Sequence, residues 1–380
     1  DLPISLANRE QKKFVKTRRV SPGLVGPVDS EKLVDARRLF SNASKPLLIA
    51  GLDIMHENSG PKLFKIVKKF KLPTITTYKA KGVVPEDHPC SLGAAGLSPK
   101  ADKILHPLIQ KSDLIILAGY NPIEMRSSWS SLWDQRKDVI EFSVTENTHY
   151  VYQAKYSFIG NISAGLYALT HKVNPKPIWV DGFQTKTRKS HKAAFLFEKK
   201  WGPASIIRAA RKVFPRNGIA TVDTGAHRIF LSQAWECYSS RGLLQSSGLC
   251  TMGVALPVAI GRKLVDPTCP VMVFTGDAGL EMVLGELATL RDLKLAIPII
   301  VFVDKQLSLI EMKQRESQLE TVGVEFGATD FSATANALGG FGVLAESEKE
   351  VETQLSHALK RDCFTIISCP INKNAYDENI

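Results

Sequence analysis

Long hydrophobic runs are missing from this 380-residue chain. The longest candidate, Ile297 to Val303, is strand-sized, whereas a membrane-spanning helix needs about 18 consecutive apolar residues, so no membrane partner is expected. No basic segment followed by an apolar one opens the sequence, and the expectation that follows is a cytoplasmic protein. Cysteine is scarce and scattered: Cys90, Cys237, Cys250, Cys269, Cys363 and Cys369 form no Cys-x-x-Cys pair and have no histidines at metal-ligand spacing. That pattern speaks for reduced thiols and against a disulfide frame or a zinc site. Also missing is a Gly-x-Gly-x-x-Gly turn after an early strand with an acidic residue about twenty positions on. Its absence weighs against a nicotinamide-dependent dehydrogenase, the alternative that a doubly wound fold always raises.

Positive charge is in excess, with a net charge of +11. Much of it sits in Gln11 to Arg19 and in Lys186 to Arg216, which includes Lys189, Lys192, Lys199 and Lys200. Neither stretch has the interleaved aromatics or the fold signature of a nucleic-acid module, so no nucleic-acid partner is expected. The reading is solvated surface and interdomain linker, with attraction of anionic ligands as the alternative.

Residues 1–27 are polar, basic and broken by Pro3, Pro22 and Pro27, and read as a connecting segment. The opening Asp1-Leu2-Pro3, without a methionine, reads as a chain cut from something longer. From there short apolar strands alternate with helices. Ser30 is a fitting N-cap for a helix over Lys32 to Phe40. Strands are expected at Pro46 to Gly51, Pro73 to Thr77, Leu114 to Gly119 and Val139 to Phe142, giving a first α/β domain over 28–172. A linker is expected over 173–192 and a second α/β domain over 193–380. Its strands are expected at Ile219 to Val222, Val271 to Thr275, Ile297 to Val303 and Thr365 to Ser368, with a helix over Leu280 to Leu293. The fold class is α/β, two doubly wound parallel-sheet domains.

The chemistry concentrates between Val271 and Gln306. Gly276-Asp277-Ala278-Gly279 follows one strand and opens a helix, and Asp304 follows the next strand. A right-handed βαβ crossover puts both aspartates on the edge where such sheets bind ligands. Two carboxylates held together are costly without a cation between them, and oxygen ligands point to Mg²⁺ or Ca²⁺ shared with phosphates. The glycine turn at a helix N-terminus offers free N–H groups to a diphosphate. The plainer alternative is a strand-to-helix turn in which Asp277 merely caps the helix.

The order Gly276-Asp277-Ala278, Glu286-Leu287-Ala288-Thr289, then Ile299-Ile300-Val301-Phe302-Val303-Asp304-Lys305-Gln306 resembles the cofactor motif of thiamine-diphosphate (ThDP) enzymes of the acetolactate-synthase-like family. The resemblance implies Mg²⁺ ligation by the Asp277 and Asp304 side chains and the Gln306 backbone carbonyl. It implies diphosphate contacts from Gly276, Ala278 and Gly279. Asp304 stands where many members have asparagine, Lys305 is unusual so near a metal, and Ser308 replaces a frequent glycine.

Ser247-Gly248-Leu249-Cys250-Thr251-Met252-Gly253 resembles the loop whose methionine wedges between the two cofactor rings. By that match Met252 enforces the bent cofactor, the Cys250 carbonyl holds its 4′-amino group, and Thr251 joins the cofactor contacts. Cys250 stands where glycine is usual. Asp223-Thr224-Gly225-Ala226-His227 resembles a loop reaching the diphosphate, which carries the role to Gly225, Ala226 and His227. Asp1-Leu2-Pro3, Thr76 to Pro89 and Ala118 to Glu124 resemble the end of the family's first domain and parts of its middle domain. The last lacks the arginine-rich segment of the flavin branch, so FAD is not expected.

What the resemblance implies is a ThDP- and Mg²⁺-dependent decarboxylase or carboligase of a small 2-oxo acid. In that family an amino-terminal domain supplies, across a subunit interface, the glutamate that activates the cofactor, and nothing in 1–380 matches it. The expectation is therefore a fragment, or a chain completed by a separate polypeptide, assembling as a homodimer or homotetramer. The alternative is a ThDP-binding homologue without catalysis.

Overall fold

Each stretch of consecutive apolar residues becomes the interior of a sheet covered on both faces. The computed structural model describes residues 5, 9–10, 23–149, 151–196, 200–246, 248–377 and 380. Asp1-Leu2-Pro3, the basic run Gln11 to Arg19, Lys199 and Ser247 lie outside the described residues.

The first sheet contains β1 (Pro46–Ala50), β2 (Thr74–Thr77), β3 (Ser91–Ala95), β4 (Leu114–Ala118), β5 (Asp138–Ser143) and β6 (Tyr156–Ile159) in the order β3-β2-β1-β4-β5-β6, all parallel. Every residue of β1, β2 and β4 is buried, as a sheet with helices on both faces requires. The Ser30 hydroxyl accepts from the Leu33 N–H at 3.3 Å and caps the helix Glu31–Asn42.

The second sheet contains β7 (Ile219–Val222), β8 (Leu243–Gln245), β9 (Val271–Gly276), β10 (Pro298–Val303), β11 (Phe341–Leu344) and β12 (Thr365–Pro370) in the order β11-β12-β10-β9-β7-β8, again all parallel. The chain is thus two α/β domains, each with one apolar core on either side of its sheet. Among the described residues no helix is long and apolar enough to cross a membrane.

Two elements differ from expectation. The single helix over Leu280 to Leu293 is two, Asp277–Glu281 and Glu286–Asp292. The turn between them leaves Met282 63% exposed, so it does not join the apolar face made by the fully buried Leu287 and Leu290. The stretch read as a linker over 173–192 is in part exposed, yet it is anchored and in part helical. Trp179 is buried and its Nε1–H donates to the Pro46 carbonyl at 2.8 Å, and a helix, Phe183–Leu196, follows with Thr187 and His191 buried.

That helix helps to join the two domains. His191 Nε2 meets Gln233 Oε1 at 3.0 Å, and Arg188 donates to the Ser91 carbonyl at 3.0 Å. Beside it the buried Glu86 accepts from Lys81 Nζ at 2.6 Å and from the Cys237 N–H at 2.7 Å. Gln245 donates to the Tyr78 carbonyl at 2.9 Å. These bonds tie the second domain to the first through backbone and side-chain groups.

Candidate functional site

In the second sheet the strand order reverses between β7 and β9, and doubly wound folds bind ligands at such a point, outside the carboxyl ends of the strands. β9 pairs with β10 so that Gly276 sits opposite Phe302, which brings the turns after both strands side by side. The turns after β7, β9 and β10 open on one cavity of about 590 Å³, counting the part open to solvent.

Ten of the residues singled out from the sequence line this cavity: Gly225, Ala226 and His227 after β7, Gly276, Asp277, Ala278 and Gly279 after β9, Asp304 and Gln306 after β10, and Met252 from the loop between β8 and β9. Cys250 and Thr251 do not line it. Cys250 is half-exposed with its sulfur toward Arg228, and Thr251 is exposed to solvent.

Asp277 and Asp304 are both buried, and the backbone between them draws them together. Asp277 Oδ2 accepts from the Asp304 N–H at 3.1 Å and the Lys305 N–H at 2.7 Å, while its Oδ1 accepts from the Ala278 N–H at 2.8 Å. Asp304 Oδ1 accepts from the Gln306 N–H at 3.3 Å, and the Ser308 hydroxyl donates to its Oδ2. Only the backbone of Lys305 reaches Asp277, its side chain being exposed, which removes the objection to a lysine at this place. Ser308, where glycine is frequent, has a use of its own as a donor to Asp304.

Burial raises the Asp277 carboxyl above the ordinary range against the three N–H bonds that lower it. Burial, with Asp277 nearby adding to it, pushes Asp304 up to about 6. A cation between the two relieves that penalty. A carboxylate has about four acceptor positions, so three bonds onto Asp277 and two onto Asp304 leave both with oxygen lone pairs to offer. The Gln306–Glu325 bridge is held by the Leu307 N–H to Val324 and the Phe326 N–H to Lys305, so the Gln306 carbonyl takes no part in it. Among the described residues no group of three histidine, cysteine or carboxylate side chains is placed to hold a metal alone. The oxygen set here suits a hard cation that completes its shell with water or phosphate oxygens.

Beside the cavity stands Asp223, almost fully buried. Its Oδ1 lies 2.8 Å from His227 Nε2 and its Oδ2 accepts from the Gly253 N–H at 2.8 Å. His227 is therefore held, its ring also stacked on Phe302 at 5.7 Å between centroids, with Nδ1 outside the Asp223 contact. A Cβ on Gly279 would lie 2.1 Å from Asp223 Oδ2, so that turn admits only glycine without rearrangement. The Thr224 hydroxyl, also at the cavity, is buried with no partner among the described residues. A cradle that only glycine fits, an unpaired hydroxyl and two oxygen ligands match the needs of a metal-bound diphosphate.

Reasoning from sequence missed Thr224, Phe302, Leu307 and above all Tyr376. Tyr376 is 2% exposed and lies beyond β12, where burial and the charges of Asp304, Asp277 and Asp223 hold its hydroxyl well above the usual range. No local signal marks it, because its place depends on the chain returning over the sheet edge. Leu309 and Ile310 line the cavity, whereas Lys313 and Gln314, which follow the same turn, do not.

Comparison with known proteins agrees with this geometry. Residues 33–169 match the thiamine pyrophosphate enzyme central domain, and residues 223–369 match the thiamine pyrophosphate enzyme C-terminal TPP binding domain. Acetolactate synthase of Bacillus subtilis (strain 168) is 26% identical over 371 residues, 96% of this chain and 64% of that protein. Catabolic acetolactate synthase of Raoultella terrigena is 28% identical over 274 residues, 70% of this chain and 49% of that protein. The mitochondrial acetolactate synthase catalytic subunit of Saccharomyces cerevisiae is 25% identical over 367 residues, 89% of this chain and 52% of that protein. The chain spans about half to two thirds of the length of these curated relatives. With its central and cofactor-binding domains both matched and the glycine-lined turn in place, the chain belongs to the thiamine pyrophosphate enzymes.

Proposed function

We propose that this chain binds ThDP through Mg²⁺ and serves an acetolactate-synthase-like decarboxylase or carboligase of small 2-oxo acids. What carries the reading is the meeting of Asp277 and Asp304 beside the Gly276-to-Gly279 turn, where the strand order reverses. In this reading the Asp277 and Asp304 side chains and the Gln306 carbonyl hold Mg²⁺. Gly276, Ala278, Gly279, Gly225, Ala226 and His227 receive the diphosphate, with Thr251 near the ring. Met252 supports the bend between the two rings, and the Cys250 carbonyl accepts from the aminopyrimidine. ThDP, when bound, supplies the electron sink for loss of CO₂ from a 2-oxo acid. The chain's own part is to place that group, neutralise its phosphates and keep the cavity dry.

The two aspartates at the cavity, Asp277 and Asp304, are taken up by the proposed metal, and Asp223 is held by His227 and the Gly253 N–H. The acid that must sit beside the pyrimidine is therefore assigned to an amino-terminal domain, in the same or another polypeptide, across the interface of at least a dimer. No flavin is part of the reading. Calorimetric titration with ThDP, with and without Mg²⁺, tests it: Mg²⁺-dependent binding is expected, and binding indifferent to Mg²⁺ or absent with it overturns the assignment. A panel of 2-oxo acids given to the full-length protein then decides the substrate.

A further inference from the structure

Cys250 differs from the chain's other thiols in a way the cofactor reading does not use. Cys90, Cys237, Cys269 and Cys369 are buried, and burial, with Glu86 and Glu236 adding to it, pushes the Cys237 thiol up to about 12. Only Cys250 and Cys363 are half-exposed. Cys250 also adopts φ +51°, a left-handed conformation that side chains rarely occupy, and its N–H is fixed by the Ser246 hydroxyl at 3.0 Å. That backbone turns its sulfur onto Arg228, whose Nη1 donates to it at 3.3 Å.

Arg228 is the second observation. It is 7% exposed, and its Nε finds no hydrogen-bond partner among the described residues. The Tyr78 ring lies 6.0 Å from the guanidinium, a face that tolerates a cation but does not neutralise it. A buried guanidinium with donor capacity to spare, directed at a half-exposed sulfur, is placed to bond an oxygen added to that sulfur.

The geometry points to Cys250 as an oxidant-reactive thiol, converted by hydrogen peroxide to a sulfenate that Arg228 holds. The sulfur gives up its proton to solvent and attacks one peroxide oxygen, forming S–O as O–O breaks. The departing hydroxide takes a proton and leaves as water. Sulfur is oxidised by two electrons and peroxide is reduced by two. The new anionic oxygen lies within reach of the guanidinium, and charge-assisted bonds of this kind are about twice as strong as neutral ones. Cys363 is half-exposed too and serves as the internal comparison.

The test treats the reduced chain with hydrogen peroxide and a 1,3-dione that traps sulfenic acid, and follows labelling at each cysteine by peptide mass spectrometry. Cys250 is expected to label roughly 10-fold faster than Cys363, and Arg228→Gln to bring Cys250 down to the Cys363 rate while leaving Cys363 unchanged. Because the comparison within the unmodified chain needs no variant, a poorly folding Arg228→Gln does not blunt it, and Arg228→Lys, which keeps the charge, should retain part of the advantage. Cys250 labelling no faster than Cys363, or equally fast without a cation at position 228, overturns the proposal. None of these readouts depends on a bound cofactor.

Discussion

Each of the two domains has a point where its strand order reverses, and the two points have opposite characters. In the second domain the ends of β7 and β9 part around a glycine-lined cavity with two aspartates at its edge. In the first domain the ends of β1 and β4 close on each other: the Gly51 N–H donates to the Ala118 carbonyl at 2.9 Å, and a Cβ on Gly51 would lie 2.2 Å from the Gly119 carbonyl oxygen. The buried Glu124 then fills the crevice, accepting from the Leu52 N–H at 3.2 Å and the Thr77 hydroxyl at 2.8 Å. Both points spend N–H groups on their own carboxylates, but only the second domain leaves a cavity beside them. The same topology thus yields a cofactor site or a structural brace according to which side chains follow the strands.

The largest break in that comparison comes from the proposed metal ligands. Asp277→Ala should lower Mg²⁺-dependent ThDP affinity by more than about 100-fold, read by calorimetry, while circular dichroism stays that of a folded chain. Glu124→Gln, its counterpart at the closed point, should leave ThDP affinity unchanged. Equal losses in both variants would remove the distinction between the two points.

Next in size is the seam that ties one domain to the other. His191 is buried against Gln233, and burial, with Lys81 and Lys192 adding to it, holds its imidazole down to about 4. A histidine with a depressed folded value is protonated earlier in the unfolded chain. The unfolded state therefore binds more protons between the ordinary value near 6.5 and about 4, and stability falls as pH falls through that window. The loss should reach roughly 3 kcal/mol by pH 4, and His191→Gln should flatten this part of the profile. Denaturant melts at pH 7, 5.5 and 4.5 measure it, and an unchanged slope in the variant would show that His191 does not carry it.

Much of this architecture was legible in the residues, and what was not has a common cause. Interior strands such as β1, β4, β9 and β10 are continuous apolar runs because both their faces are covered. The four strands that sequence reasoning missed, β3, β6, β8 and β11, are the four edges of the two sheets. Three of these edges are short or half-exposed, since β6 and β11 alternate or open at their ends and β8 has three residues, whereas β3 is buried but its Ser91-Leu92-Gly93-Ala94-Ala95 carries no β-branched residue. At the site, Asp277 and Asp304 were readable because each directly follows an interior strand. Tyr376 was not, since a tail's return path leaves no periodic trace.

A smaller effect separates the two glycines that mark the reversal points. Alanine at position 279 meets the Asp223 carboxylate, a side chain that can shift only by disturbing His227 and Gly253. Alanine at position 51 meets the backbone of Gly119 and Tyr120, which cannot shift without moving β4. Each should cost about 1–3 kcal/mol of stability, with Gly51→Ala the more destabilising in a thermal melt. Only Gly279→Ala should also weaken ThDP. If both variants weakened the cofactor equally, the loss would be one of fold and not of the cradle.

The smallest expected effect sharpens the comparison most, because it removes one oxygen from each point. Tyr120 packs at the closed point with its hydroxyl buried and unpartnered among the described residues, near Glu124. Tyr376 borders the open point, its hydroxyl near the charges of three aspartates. A buried hydroxyl without a partner costs stability that phenylalanine does not, so Tyr120→Phe should be neutral or stabilising by about 1 kcal/mol and leave ThDP affinity alone. At the cavity the balance reverses. An oxygen that faces carboxylates and, in the proposed reading, phosphate is a donor with acceptors at hand, so Tyr376→Phe should weaken Mg²⁺-dependent ThDP binding by about 1 kcal/mol, several-fold in affinity, with little change in the thermal midpoint. Paired calorimetry and melting curves on the two variants decide the matter: a ThDP loss in Tyr120→Phe, or none in Tyr376→Phe, would mean that the tail residue belongs to the packing of the sheet edge and not to the cofactor cavity.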